Sequence, residues 1–205
     1  MIRPGKIVCV GRNYRDHAKE MGNDVPKEPL IFLKPPSSVI GDGSPIVLPR
    51  ASSQVEYEGE IGVIIGTRLR QATSREALAA IRGVVAMNDV TARDLQRSDA
   101  QWTRAKGFDS FCPVAAAPVP DLDLDTLTIL TRVNGTERQR GTATEMVFPI
   151  PELLSYISHI MTLEPGDLVA TGTPAGVGPL APGDVVEVVV GGVSRVTNPV
   201  IADEE

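Results

Sequence analysis

Glutamates recur at alternate positions in Val55-Glu56-Tyr57-Glu58-Gly59-Glu60-Ile61-Gly62-Val63-Ile64-Ile65. In a strand, alternate side chains share a face, so Glu56, Glu58 and Glu60 would line one side about 7 Å apart. Like charges that close repel, and the apolar continuation sends the strand toward a core. A cation relieves the repulsion, and oxygen donors suit Mg²⁺, Mn²⁺ or Ca²⁺ better than Zn²⁺, which prefers His and Cys. The plainer alternative is a solvated strand face. A second acid, Asp89, ends the apolar run Val84-Val85-Ala86-Met87-Asn88, where a helix is expected to begin. It can be a metal ligand, although capping a helix is the commoner role for an acid in that place.

His17 and Glu20 lie three apart on an expected helix, close enough for the carboxylate to orient the imidazole while the other ring nitrogen takes a proton from water. A surface ion pair would have the same spacing. Arg93 and Gln96 also share a helix face, fit either to bind a carboxylate or to form an exposed polar stripe. Lys106 is a single cation in Trp102-Thr103-Arg104-Ala105-Lys106-Gly107-Phe108, able to compensate an anionic substrate or to snorkel from the surface. The loop Thr171-Gly172-Thr173-Pro174-Ala175-Gly176-Val177-Gly178 offers amides and hydroxyls that can cradle an anion. It carries neither a P-loop lysine nor a dinucleotide fingerprint. The other histidine, His159, reads as structural.

Short Val/Ile-rich runs supply the elements that must position these groups. Ile7–Val10, Ile31–Leu33, Ile61–Ile65, Val84–Met87, Leu127–Val133, Leu168–Ala170, Val185–Val190 and Val193–Val196 have strand length and turn residues between them. Asn134-Gly135 and Gly191-Gly192 signal hairpins. Helices are expected from Asn13, as cap, through Tyr14 to Met21; from the capping box at Thr73 and Glu76 to about Ile81; from Thr91 to about Gln101; and from Pro151 to Met161. The expected fold is mostly β with peripheral helices, and no regular βαβ alternation is present.

The chain has 205 residues and a net charge of −6. That length suits one domain. The acidic balance and the lack of a basic cluster argue against nucleic acid or an anionic membrane as partner. No apolar run reaches the roughly 18 residues of a spanning helix. Met1-Ile2-Arg3-Pro4-Gly5-Lys6 lacks a signal-peptide core. Cys9 and Cys112 are therefore expected to be reduced in a cytoplasmic protein.

In order and spacing, these pieces resemble the fumarylacetoacetate hydrolase family, in particular its short acylpyruvase and oxaloacetate decarboxylase-like members. The resemblance rests on Gly11-Arg12-Asn13-Tyr14-Arg15-Asp16-His17-Ala18-Lys19-Glu20-Met21, Phe32-Leu33-Lys34-Pro35 and Tyr57-Glu58-Gly59-Glu60-Ile61-Gly62. It rests also on Asn88-Asp89-Val90-Thr91-Ala92-Arg93-Asp94, Lys106-Gly107-Phe108-Asp109 and Leu163-Glu164-Pro165-Gly166-Asp167 with the Thr171–Gly178 loop. It implies a mixed β-roll or sandwich-like barrel enclosing a metal site, residues 1–205 as a single catalytic domain, a short lid around 12–22, and a homodimer.

By the same resemblance, Glu58, Glu60 and Asp89 hold Mg²⁺ or Mn²⁺, with Ca²⁺ as a possible stand-in in a crystal. His17 and Glu20 form a catalytic dyad on the lid. Arg93, Gln96, Lys106 and Thr173 engage the carboxylate and keto groups of a small keto acid, with Lys106 also counted as catalytic. Glu56 is a supporting or exposed acid, and Lys34 is structural. The implied reaction is metal-dependent hydrolysis of the C–C bond in an acylpyruvate, giving pyruvate and a carboxylic acid. The alternatives are oxaloacetate decarboxylation or tautomerisation, isomerisation or decarboxylation of a 2-hydroxyhepta-2,4-diene-1,7-dioate, or a dicarboxylate-binding protein without catalysis.

Overall fold

The computed structural model describes residues 3–203. Its Val/Ile-rich runs become two five-stranded mixed sheets. The first is ordered Leu30–Lys34, Ile7–Gly11, Leu168–Ala170, Gly59–Ile65, Ile81–Asn88. Within it only Ile7–Gly11 and Leu168–Ala170 run parallel. The second is ordered Thr136–Thr142, Thr128–Val133, Val185–Val190, Ser194–Ala202, Ile46–Leu48, with the last pair parallel. Val63, Val85, Ile129, Val188 and Val196 belong to one buried apolar cluster drawing on both sheets. The helix Ile150–Ile160 adds Leu153, Leu154 and Ile157 to it. At Asn134-Gly135 both residues have positive φ, 52° and 77°, which gives the hairpin a twist matching its strands.

Smaller elements carry the polar residues. Val55–Tyr57 pairs with Gly178–Pro179 on one side and with Thr91–Ala92 on the other. Val39–Ile40 pairs with Cys112–Pro113. No described helix is long and apolar enough to cross a membrane. Cys9 and Cys112 are buried and free.

Several local expectations are corrected. The glutamate-bearing segment is not one strand. Val55–Tyr57 and Gly59–Ile65 belong to different sheets, and the chain changes sheet at Glu58. Glu56 therefore does not share a strand face with the other two, and none of the three is solvated, since each is at most 6% exposed. The first helix is Arg15–Glu20, with Tyr14 at the N-cap position and no side-chain cap. Asn13 is instead a cross-link: its amide donates to Thr171 O at 2.8 Å and Phe148 O at 3.1 Å, and its Oδ1 accepts Phe148 N–H at 2.9 Å. The helix expected over Thr91–Gln101 shrinks to Arg93–Ser98, because Thr91 and Ala92 are drawn into strand pairing. A separate short helix, Thr103–Gly107, follows it. Asp89 caps neither.

Candidate metal centre and active site

The acids sit where strands end. Glu58 lies between two sheets, with its N–H bonded to Asn88 Oδ1 at 2.9 Å. Glu60 is in the Gly59–Ile65 strand, whose neighbour Ile81–Asn88 runs directly into Asp89. Register therefore brings Glu58, Glu60 and Asp89 together: one oxygen from each lies within 4.8 Å of the others, and all three are buried. Gly59 between the glutamates is required by packing, since a Cβ there would stand 2.0 Å from Thr131 Oγ1.

Three buried cations surround this trio. Arg93 donates through Nε to Glu56 at 2.8 Å, through Nη2 to Glu58, and through Nη1 to Gln96 at 2.5 Å. Lys106 bridges Glu58 at 2.8 Å and Asp89 at 2.5 Å, and lies 4.9 Å from the centre of the Phe32 ring. Lys34 donates to Asp89 at 2.7 Å and to Val90 O at 3.1 Å. The surface readings of Arg93 and Lys106 are thereby corrected, each being 2% exposed. Lys34 makes as direct a contact with the acids as Lys106 does. Glu56, held by Arg93 and Gln54, is a supporting acid.

Charge in this cluster is unevenly spread. Burial works to raise the Glu58 carboxyl, but Lys106 and Arg93 outweigh it and hold Glu58 below the ordinary carboxylate range. Burial disfavours the charge on Lys106, yet Asp89 and Glu58 raise its pKa above the usual lysine value. The Glu60 carboxylate makes no ion pair with a cation among the described residues; its one hydrogen bond there is from the Gly172 N–H at 2.7 Å, and the Lys106 charge acts on it only from a distance. Burial, then the negative charges of Asp89 and Glu58, push Glu60 well above the ordinary range. A hard divalent cation fits this donor set, since it would supply the missing charge at Glu60 through oxygen ligands.

Beside the trio, Glu58, Glu60, Asp89, Arg93, Gln96, Lys106, Thr173 and His17 line a cavity of about 50 Å³. His17 is buried on the Arg15–Glu20 helix, its Nδ1 3.3 Å from Glu20 Oε2. The spacing expected of a dyad is therefore realised with His17 buried beside the acids and Glu20 behind it at the surface. His159 is exposed elsewhere, donating to Ser155 O at 2.9 Å. The hydroxyl of Thr173 is already committed, donating to Gly59 O at 2.8 Å and accepting from Gln139 at 2.7 Å. The Thr171–Gly178 loop does cradle anions, but they are the protein's own: Gly172 serves Glu60 and Gly176 serves Glu20.

The sequence model for the fumarylacetoacetate (FAA) hydrolase C-terminal region matches residues 6–201. The chain belongs to the fumarylacetoacetate hydrolase family. The mitochondrial oxaloacetate decarboxylase of Dictyostelium discoideum is 44% identical over 189 residues, covering 89% of this chain and 87% of that protein. The mitochondrial oxaloacetate tautomerase FAHD1 of Arabidopsis thaliana is 44% identical over 203 residues, covering 96% and 91%. Among solved structures, fumarylpyruvate hydrolase from Pseudomonas aeruginosa, in complex with Mn²⁺ and pyruvate, superposes with a TM-score of 0.91. The two are 29% identical, and the match covers 98% of this chain and 91% of that one. In this member of the family, mixed sheets thus carry a buried acidic cluster able to hold a metal.

Two polar residues that the sequence reading passed over also serve the site. Gln139 accepts the Gly59 N–H at 2.9 Å and donates to Thr173 Oγ1 and Pro174 O. Tyr57 donates its hydroxyl to Gly176 O at 3.0 Å. Gln139 lies in a run of charged residues, and Tyr57 beside the acids, so neither stood out by type.

Proposed function

We propose that the chain is a divalent-metal-dependent hydrolase that cleaves the C–C bond of acylpyruvate-type 2,4-diketo acids, releasing pyruvate and a carboxylic acid. The reading rests on one observation above all: His17, with Glu20 3.3 Å from its Nδ1, lines the same cavity as the Glu58, Glu60 and Asp89 carboxylates. Those three would hold Mg²⁺ or Mn²⁺. When bound, the ion supplies Lewis-acid polarisation of the 2-oxo group.

Arg93 and Gln96 are placed to receive the substrate carboxylate, and Lys106 adds a buried positive charge next to it. Thr173 contributes its backbone N–H, which has no partner among the described residues, while its hydroxyl keeps Gly59 in place. His17, oriented by Glu20, takes a proton from water as that oxygen adds to the distal carbonyl. The C–C bond then breaks, its electron pair passing to the methylene carbon of the pyruvate half, and the proton held by His17 returns to that carbon. The Arg15–Glu20 helix acts as a lid that keeps bulk water from the site.

A second reading is favoured by the relatives named for oxaloacetate chemistry. The same residues can hold oxaloacetate, with His17 moving a proton at the carbon next to the oxo group instead of activating water. An ultraviolet assay on acetylpyruvate and oxaloacetate, with Mg²⁺, with Mn²⁺ and after EDTA, decides between the two. Metal-dependent formation of pyruvate and acetate supports hydrolysis. Turnover of oxaloacetate alone replaces it with decarboxylation if pyruvate forms, or with tautomerisation if it does not. No turnover of either would leave an isomerase of longer dienoates, or a binding protein.

A further inference from the structure

The cations around the acids all have partners within the protein. Arg93 pairs with Glu56, Glu58 and Gln96 through three of its five N–H groups, Lys106 with Glu58 and Asp89, and Lys34 with Asp89 and Val90. Arg12 is different. It lines the same cavity and is half-buried, yet no hydrogen bond or ion pair engages its guanidinium among the described residues. Val10, Met21, Phe32 and Trp102 line the cavity as well and offer it no charge.

The backbone at Arg12 is as unusual as its unpaired side chain. Its φ is +58°, in the left-handed region where Gly and Asn are the ordinary occupants. An arginine held there at a conformational cost points to a use for the side chain. Its place is also fixed. The strand Ile7–Gly11 ends immediately before it, and Asn13 immediately after it is pinned by three hydrogen bonds to Thr171 and Phe148. Arg12 thus stands on a rigid margin of the cavity, ahead of the Arg15–Glu20 helix.

We propose that Arg12 is a specificity-determining residue that receives a second carboxylate, so that the preferred substrates are dicarboxylic 2-oxo acids. The proposal rests on the metal-site reading above, which assigns the first carboxylate and the oxo group to the acid–cation end. A guanidinium with no internal partner can pair with the distal carboxylate through two parallel N–H···O bonds. A methyl-ended acid leaves that guanidinium without an anion.

The test compares KM for oxaloacetate, which carries the second carboxylate, with KM for acetylpyruvate, which ends in a methyl group. Arg12→Gln and Arg12→Gly should shift the ratio of the two KM values against oxaloacetate by about tenfold or more, the usual weight of a charged hydrogen bond. Arg12→Lys should recover part of the loss. Glycine accepts the backbone conformation at position 12, so Arg12→Gly separates loss of the side chain from misfolding. A ratio that stays constant, whether both KM values rise together or neither moves, overturns the proposal.

If the wild type turns over neither substrate, the catalytic reading fails while Arg12 remains testable by binding. The single tryptophan, Trp102, lines the cavity and reports occupancy by fluorescence. With Mg²⁺ present, the wild type should bind 2-oxoglutarate more tightly than pyruvate, and Arg12→Gln should erase that preference. Equal affinity for the two acids in the wild type would overturn the assignment.

Discussion

Gly176 donates its backbone N–H to both carboxylate oxygens of Glu20, at 3.0 and 3.2 Å. Glu20 in turn lies 3.3 Å from His17 Nδ1. The helix bearing the proposed base is therefore fastened to the loop after Leu168–Ala170, and the Tyr57 hydroxyl fixes the other side of the Gly176 residue. A side chain at position 176 is not tolerated: φ is +99°, and a Cβ would stand 2.1 Å from Arg138 O.

Gly176→Ala should accordingly move the turn and release Glu20. The expected result is a fall in hydrolytic kcat of about 10²-fold, within the range of general-base catalysis, with Mn²⁺ affinity much less affected. Tyr57→Phe, which deletes one hydrogen bond and keeps the turn, should give a smaller fall. Steady-state kinetics with parallel calorimetric Mn²⁺ titration checks this. A wild-type kcat in Gly176→Ala would show that the fastening does not set the dyad.

Gln139 should matter to metal binding though it touches no metal ligand side chain. Its amide holds the Gly59 N–H, between the two glutamates, and ties it to Thr173 and Pro174. Gln139→Leu leaves the Gly59 N–H and Pro174 O without this partner, at about 1–3 kcal/mol each where no water replaces the lost bond, while the Thr173 hydroxyl keeps its bond to Gly59 O. Supporting hydrogen bonds behind metal ligands are worth about 10–100-fold in affinity, so Mn²⁺ should bind at least about tenfold more weakly. Unchanged Mn²⁺ affinity in a folded Gln139→Leu protein would reduce Gln139 to a structural residue.

What the sequence disclosed and what it withheld follow from range. The strands came from local apolar runs, and the trio of acids from the order of residues in the resemblance. Burial of Glu56, Arg93 and Lys106 was not legible, because the opposite charges that pair with them are distant in sequence. Gln139 was hidden for a different reason. Thr131 pairs with Gln139 while Arg132 pairs with Glu137, so Arg138 forms a bulge. The bulge breaks the two-residue alternation and turns Gln139 inward among exposed charged neighbours. Asn13 had the composition of a cap, and only the fold shows its side chain spanning to Phe148 and Thr171.

Asp94 gives the protein a marker of acid sensitivity separate from the metal site. It accepts hydrogen bonds from Ser52 Oγ, from Ser53 N and Oγ, and from Leu95 N, which join the start of the Arg93–Ser98 helix to the loop before Val55. The Ser52 and Ser53 bonds outweigh burial and bring its carboxyl from 3.8 to about 2. A carboxyl lowered on folding stabilises the folded state above its unfolded pKa, and that contribution disappears as pH falls through the folded value. Denaturation midpoints should therefore fall more steeply between about pH 4 and pH 2 in the wild type than in Asp94→Asn. Parallel curves for the two proteins would contradict this.

Glu60 should produce the opposite dependence, and only in the absence of metal. Burial and the charges of Asp89 and Glu58 raise its carboxyl well above the ordinary value, so the metal-free fold keeps a proton that the unfolded chain releases. Stability from that proton is present at low pH and is lost as pH rises through the raised folded value. EDTA-treated protein should therefore lose Tm as pH rises beyond the ordinary carboxylate range, and Glu60→Gln should flatten that slope. A divalent cation must displace the same proton, so its affinity should strengthen with pH over the same interval, by up to about tenfold per pH unit for one proton. Thermal melts and Mn²⁺ titrations across that interval test both statements. A metal-free Tm that does not respond to pH, with Mn²⁺ affinity equally flat, would mean that Glu60 is already ionised and that another group balances its charge.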